Sequence, residues 1–251
     1  MTDQQQVRPP ALSPSASLRL PLIQRWLAVI APSSVLEAGS GMGAMAWRFA
    51  SRFDYRGYEP DPMSYAEAAA RLARLGKGEV RNEPVPDQPD RSFDLLAAFE
   101  VLEHIEDDGG TLSSWVRWLT PGGHVLISVP AHPDRFGPCD EMAGHCRRYE
   151  RDGLASLLRS SGLEPLSIES WGMPLGYLLE AGRNVLARRR LDKDVGTAGS
   201  GRFFQPPVAL GRTVELALRP AAFAQRPFHD TEMGIGYVAV GRLADARTEG
   251  E

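Results

Sequence analysis

A chain of 251 residues is long enough for one α/β domain with insertions, or for one domain and a small cap. A net charge of −4, with 43% hydrophobic and 24% charged residues, excludes a chain that wraps nucleic acid as a whole. Two cysteines, Cys139 and Cys146, exclude a disulfide framework and suit a reducing, cytoplasmic setting, and no apolar run reaches the roughly 18 residues that span a bilayer.

Met1 to Ser17, rich in Gln, Pro and Ser, lacks the charged-then-apolar order of a secretory signal and reads as a disordered tail. Leu18 to Ile30 is a short helix with Pro21 in its first turn, and Ser34 to Ala38 is an apolar strand running into glycines. A helix over Ala44 to Phe53, a strand over Tyr55 to Tyr58 ending at Glu59, and an alanine-rich helix from Met63 to Leu75 stopped by Gly76 follow. Arg81 to Arg91 is a proline-rich loop. Phe93 to Phe99 is a continuous apolar run, as in a strand buried on both faces. Thr111 to Leu119 is a helix ended by Thr120-Pro121-Gly122-Gly123, and His124 to Val129 is the next buried strand. Asp152 to Ser160 is a helix, and Leu163 to Ser170 and Gly234 to Arg242 are strands.

Strands alternating with helices predict a mainly parallel sheet with right-handed crossovers. Ligands then bind at the carboxyl ends of the strands, near the switch in strand order. The chain divides into a tail (1–17), a core (18–171 and 230–244) and a helical insertion or cap (172–229). The insertion offers helices near Leu175 to Arg190 and Val208 to Leu218, separated by a Gly/Ser-rich break. Between Arg183 and Arg226 it carries nine Lys or Arg against three Asp or Glu. This basic surplus is either a solvated face or a surface for an anionic substrate, a lipid headgroup or an acidic partner.

The strongest local signal is Val35-Leu36-Glu37-Ala38-Gly39-Ser40-Gly41-Met42-Gly43, a glycine loop between a strand and a helix. Glycines let the backbone turn sharply and let a ligand lie on bare main chain. A dinucleotide fold spaces its glycines GxGxxG or GxGxxA. Gly39, Gly41 and Gly43 form GxGxG, although Ala44 also permits the second reading. Glu37, two residues ahead of Gly39, can meet a cationic amine and has no use beside a pyrophosphate. Glu59, about 20 residues on, can accept both hydroxyl protons of a ribose.

Three segments resemble the class I S-adenosylmethionine-dependent methyltransferases, in the small-molecule branch that includes the ubiquinone-biosynthesis O-methyltransferases. They are VLEAGSGMG, FDLLAAFEVLEHI (Phe93 to Ile105) and LTPGGHVLISVP (Leu119 to Pro130), within a similarity running roughly from Ser33 to Gly162. The resemblance implies a Rossmann-like three-layer α/β sandwich. Its seven-stranded, mostly parallel sheet ends in an antiparallel strand, here Gly234 to Arg242, with the helical insertion before it. It implies S-adenosyl-L-methionine as cofactor, held by Glu37, Gly39, Gly41 and Gly43, with Glu59 on the ribose, Asn82 and Glu83 beside the adenine and Glu100 beside the methionine moiety. Asn82 stands where the family often has aspartate. In the ubiquinone-type enzymes a Glu-x-x-Glu-His cluster is associated with a divalent metal, and Glu100, Glu103 and His104 match it. The expectation here is nonetheless a reaction without a metal.

A sulfonium methyl is already activated, so the protein has to align the acceptor and exclude water, with a base only where the acceptor must lose a proton. His104, after the fourth strand, either takes that proton or orders its loop. His132 to Tyr149 follows the fifth strand and overhangs the acceptor side. It supplies His145 as a second candidate base, with His132, Arg147 and Arg148 as candidate substrate contacts. His132, Cys139, Asp140, His145 and Cys146 lack the CxxC or HxxxH spacing of a zinc site. Trp171, Met173, Tyr177, Phe203 and Phe204 line an apolar acceptor pocket or pack the insertion onto the core.

The reading is methyl transfer to a small-molecule acceptor, at oxygen. The alternatives are an NAD(P)-dependent oxidoreductase or a non-catalytic Rossmann-like binding module. Glu37 opposes the first, as does the absence of Tyr-x-x-x-Lys, since neither Lys77 nor Lys193 follows a tyrosine at that spacing. The complete glycine loop and Glu59 oppose the second. Peripheral membrane contact by the basic insertion stays open. No nucleic-acid site is evident, because Phe99-Glu100-Val101-Leu102 occupies the place of the amino-methylating Pro-Pro motif.

Overall fold

The computed structural model describes residues 9–191 and 208–244. The chain runs α1 (Pro14–Ile30), β1 (Ser34–Ala38), α2 (Ala44–Ala50), β2 (Asp54–Tyr58), α3 (Pro62–Leu75), β3 (Glu79–Arg81) and β4 (Phe93–Phe99). It continues α4 (Asp108–Val116), β5 (Leu119–Pro130), α5 (Pro138–Ala143), α6 (Arg151–Ser160), β6 (Leu163–Trp171), α7 (Leu175–Leu191), α8 (Val208–Ala224) and β7 (Gly236–Leu243).

Seven strands form one sheet in the order β3-β2-β1-β4-β5-β7-β6. Neighbours from β3 to β5 are parallel, and β7 runs antiparallel to both β5 and β6. This is the Rossmann-like sandwich with an antiparallel last strand. Strand order reverses at β1, which pairs with β2 on one side and β4 on the other, so the binding crevice lies above the ends of β1 and β4.

Alternating residues of the central strands feed two separate cores. Leu36, Leu96, Val125 and Ile127 pack with α4 and α6 through Leu112, Trp115, Leu154 and Leu158. Val35, Leu95, Leu126 and Val238 pack with α1, α2 and α8 through Leu22, Ile23, Phe49 and Ala222. The period-two alternation of a strand divides these side chains between the two faces. Both faces are covered, which is why β4 and β5 are near-continuously apolar. Each fully buried Leu, Ile or Phe stabilises the fold by about 1.5–3 kcal/mol.

Several boundaries differ from expectation, α4 lying three residues early at Asp108–Val116 and α8 running on to Ala224. α1 starts at Pro14, four residues early, taking in the end of the expected tail: Ser13 caps it by accepting from Ala16 N–H at 3.2 Å, and Pro14 supplies the first turn. β3 and α5 had no apolar period long enough to announce them. β5 begins at Leu119, before the Thr-Pro-Gly-Gly turn, because Leu119 pairs with Phe93 and the ladder then shifts register to Leu95–His124. The Gly/Ser-rich break, Lys193, Phe203 and Phe204 lie outside the described residues.

Candidate active site

The glycine loop leaves β1 at the switch point. Gly39 and Ser40 N–H groups both donate to Tyr58 O, at 2.9 and 3.1 Å, which folds the loop back over β2. Gly39, Gly41 and Gly43 all have left-handed backbone, with φ of 69°, 54° and 79°. Their surroundings differ. A Cβ on Gly43 would lie 2.8 Å from Ala68 Cα in α3, so this glycine permits close helix packing. A Cβ on Gly41 would meet nothing within 4 Å, so the bare backbone there faces open space. Gly43 is thus a packing position as well as part of the loop.

Glu59 sits over that space. Its Oε2 accepts from Gly41 N–H at 2.6 Å and its Oε1 from Asp61 N–H at 2.9 Å, so the carboxylate is oriented and each oxygen keeps a lone pair. Burial raises its pKa above the ordinary carboxylate range. Glu37, at the end of β1, is buried, and Tyr55 Oη donates to its Oε2 at 2.6 Å. Removal from water pushes the Glu37 carboxyl up to about 8, against the opposing Tyr55 bond. The Asn82 amide donates to the Glu59 and Pro60 carbonyls at 2.9 and 3.2 Å, bracing the Glu59 backbone, and Glu83 beside it is exposed.

Glu100 follows β4 with φ of 56°, and His132 follows β5 with φ of 64°. Left-handed backbone costs a non-glycine residue about 1–3 kcal/mol, and both cases cluster at strand ends beside the crevice. Ser128 Oγ donates to Glu100 Oε1 at 2.9 Å, and Arg19 of α1 meets the same oxygen at 3.2 Å. The Arg19 guanidinium also faces the rings of Phe99 and Trp171, 5.9 and 5.7 Å from their centroids. Arg19 had no signal in the sequence, because it sits on a helix ahead of the strand–helix rhythm. Trp171 is buried in the core on that side of the sheet.

The segments after β4 and β5 hold two imidazoles in contact. The rings of His104 and His145 meet edge to face at 4.7 Å. His145 Nδ1 lies 2.8 Å from Asp140 Oδ1. Hydrogen bonds from His145 and Arg148 hold the Asp140 carboxyl at about 2 despite its burial, so Asp140 is ionised and His145 directs Nδ1–H at it, leaving Nε2 as the basic nitrogen. His104 Nδ1 approaches Gly144 O at 3.3 Å, and burial followed by the neighbouring His145 lowers its pKa. His132 Nε2 bonds Gly234 O at 3.0 Å, tying the loop after β5 to the approach to β7.

The two arginines expected to contact substrate are already engaged. Arg148 is buried, forked onto Asp140 (2.7–3.1 Å) and paired with Glu180 of α7 at 2.6 Å. It locks α5 to α7. Arg147 pairs with Asp108 at 3.0 Å and donates to Glu106 O at 2.6 Å. Tyr177 stacks under Arg135, 4.1 Å away, which itself pairs with Glu180.

Among the described residues, Glu103, His104 and His145 each offer a ligand atom, all within 4.8 Å of one another. Glu100 is absent from this group, being held by Ser128 and Arg19. One carboxylate with two imidazoles is a different donor set from the resemblance's two carboxylates and one imidazole, and a poor match to a hard, oxygen-seeking ion such as Mg²⁺. Both Glu103 oxygens are buried with no partner. Burial first, then the charge of Glu100, push its pKa well above the ordinary carboxylate range.

Sheet order and the glycine loop at the switch point are those of a class I methyltransferase fold. A family model described as "Methyltransferase domain" matches residues 16–168. The chain belongs to that family, and in family and fold it is a class I S-adenosylmethionine-dependent methyltransferase. Over 148 residues it is 32% identical to a probable S-adenosylmethionine-dependent methyltransferase of Mycolicibacterium smegmatis, covering 56% of each chain. Over 121 residues it is 29% identical to the ubiquinone biosynthesis O-methyltransferase of Alkalilimnicola ehrlichii, covering 45% of this chain and 47% of that one. The chain spans about half the length of these curated relatives. The fold is similar to a putative sarcosine dimethylglycine methyltransferase from Galdieria sulphuraria, with a TM-score of 0.61 and 17% identity over 92% of this chain and 87% of that one.

Proposed function

We propose that this chain transfers a methyl group from S-adenosylmethionine to the oxygen of a small-molecule acceptor. The observation that carries the cofactor half is the pairing of open backbone at Gly41 with the oriented carboxylate of Glu59, directly above the switch point. Glu59 takes the ribose hydroxyls, Glu37 the methionyl ammonium, and Arg19 supplies a cation for the methionyl carboxylate. When bound, S-adenosylmethionine supplies an activated methyl, which passes to the acceptor oxygen while sulfur keeps the electron pair of the broken C–S bond.

His145 takes the acceptor's proton at Nε2, and ionised Asp140 holds the ring and stabilises the imidazolium that results. His104, edge-on to His145, shapes the same wall. A His–Asp pair of this kind serves a hydroxyl, which must lose a proton, and this supports oxygen as the acceptor atom.

Calorimetric titration with S-adenosylhomocysteine, beside NADH, tests the reading on wild type and Glu59→Ala. The expected result is binding of S-adenosylhomocysteine alone, weakened tenfold or more in the variant. Binding of NADH, or of neither, overturns it.

A further inference from the structure

The helical segment between β6 and β7 turns apolar faces to solvent. Along α7 the exposed residues include Leu178, Ala181, Gly182, Val185 and Leu186. They recur at i, i+3, i+4, i+7 and i+8, so they form one continuous face. The large ones are 52–72% exposed. The opposite side of α7 is anchored: Glu180 is buried in its pairs with Arg148 and Arg135, and Ala187 is fully buried. α8 repeats the arrangement. Leu216, Ala217, Pro220, Phe223 and Ala224 are exposed on one side, with Leu216 at 57% and Phe223 at 64%. Its other side carries buried Ala222, and just beyond it the Gln225 amide reaches Leu18 O in α1. A surface helix of a protein bathed only in water has the reverse pattern.

Among the described side chains, the exposed charges on α7 and α8 are all arginines. Arg188 and Arg189 are exposed at the end of α7, and Arg219 and Arg226 flank the open side of α8. The Arg226 guanidinium lies 4.3 Å from the Phe223 ring centroid. Residues 175–191 and 208–226 together hold seven arginines against two glutamates, and one of the two is the buried Glu180. No helix among the described residues is long and apolar enough to cross a membrane.

We propose that the exposed faces of α7 and α8 dock on an anionic phospholipid bilayer, the apolar side chains entering the headgroup region and the arginines meeting phosphates. Such a surface offers both things the helices present: opposite charge and an apolar layer beneath it. A second copy would set the same arginine-rich patch against itself across a two-fold axis, where like charges oppose contact. Through Glu180, α7 is tied to Arg148 and so to the segment that carries His145. Docking therefore places on the bilayer the helix whose other side braces the His145 segment. The proposal is independent of the methyl-transfer reading, since vesicle binding needs neither cofactor nor acceptor.

The test is flotation of the full chain with phosphatidylcholine vesicles and with vesicles that also contain phosphatidylglycerol. Wild type is expected to float with the anionic vesicles alone. Arg188→Ala with Arg189→Ala lowers the partition about thirtyfold, and Leu178→Ser, Leu186→Ser and Phe223→Ser together lower it at least tenfold. Circular dichroism and S-adenosylhomocysteine binding stay unchanged in both variants, because every replaced side chain is exposed. Failure of wild type to float at low salt, equal flotation with neutral vesicles, or variants that float like wild type overturns the proposal. So does light scattering that shows a wild-type dimer abolished by the serine variant, which would assign these faces to a second copy.

Discussion

Glu37 couples cofactor binding to pH in a way that can be worked from the structure. Burial holds its carboxyl at about 8 in the empty site. At pH 7 it is then about nine-tenths protonated, yet only the anion can pair with a methionyl ammonium. Binding at pH 7 therefore expels about 0.9 proton. The ionised fraction grows about fiftyfold between pH 6 and pH 8, so affinity climbs by about 2.3 kcal/mol over that range and levels off above it. The assay is calorimetric titration with S-adenosylhomocysteine in two buffers of different ionisation enthalpy, repeated across the range. Glu37→Gln should bind more weakly above pH 8 and show neither slope nor proton release. Flat wild-type affinity from pH 6 to pH 8, or a slope that survives in Glu37→Gln, would refute the assignment of Glu37 to the ammonium.

Other perturbations separate packing from chemistry. Gly43→Ala forces a methyl to within 2.8 Å of the Ala68 Cα and keeps a left-handed backbone, so it should destabilise the fold by about 2–4 kcal/mol in urea unfolding. Gly41→Ala meets open space, so it should cost only about 1–2 kcal/mol of stability while cutting S-adenosylhomocysteine affinity at least tenfold. Arg148→Ala strands Asp140 and Glu180 in the interior and should cost about 3–5 kcal/mol, whereas Arg147→Ala, at a partly exposed pair, should cost at most about 1 kcal/mol. Once an acceptor is in hand, His145→Asn should lower kcat by roughly 10²–10⁴ with S-adenosylhomocysteine affinity unchanged, and an equal loss of affinity would move His145 out of the catalytic role.

What could be read in the sequence follows the strength of local signals. Phe93 to Phe99 and Val35 to Ala38 announced themselves because a strand buried on both faces leaves little room for polar residues. Glu37 and Glu59 could be placed by counting from the glycines, since a strand of known length carries each to the crevice rim. Arg19 could not, because its position depends on α1 folding back onto one face of the sheet, a tertiary event with no local period. The fate of Arg147 and Arg148 was equally hidden. Two adjacent arginines look alike in sequence, and only the approach of α7 buries one against Glu180 and leaves the other at the surface. Asp140 stands five residues before His145, a spacing that no regular element turns into a contact. A glycine stop at Gly144 brings them together.

The sheet also explains how such a molecule can change partners without losing its grip on the nucleoside. Trp171, the last residue of β6, and Gly236, the first of β7, lie opposite each other in the ladder. The whole excursion through α7 and α8 thus leaves the sheet and returns to it at a single rung. A detour hinged at one point can lengthen, shorten or be exchanged while the register on either side is untouched, since closing a longer loop adds only a slowly growing entropic cost. The strands that carry the glycine loop and its carboxylates lie on the other side of β5 from that hinge.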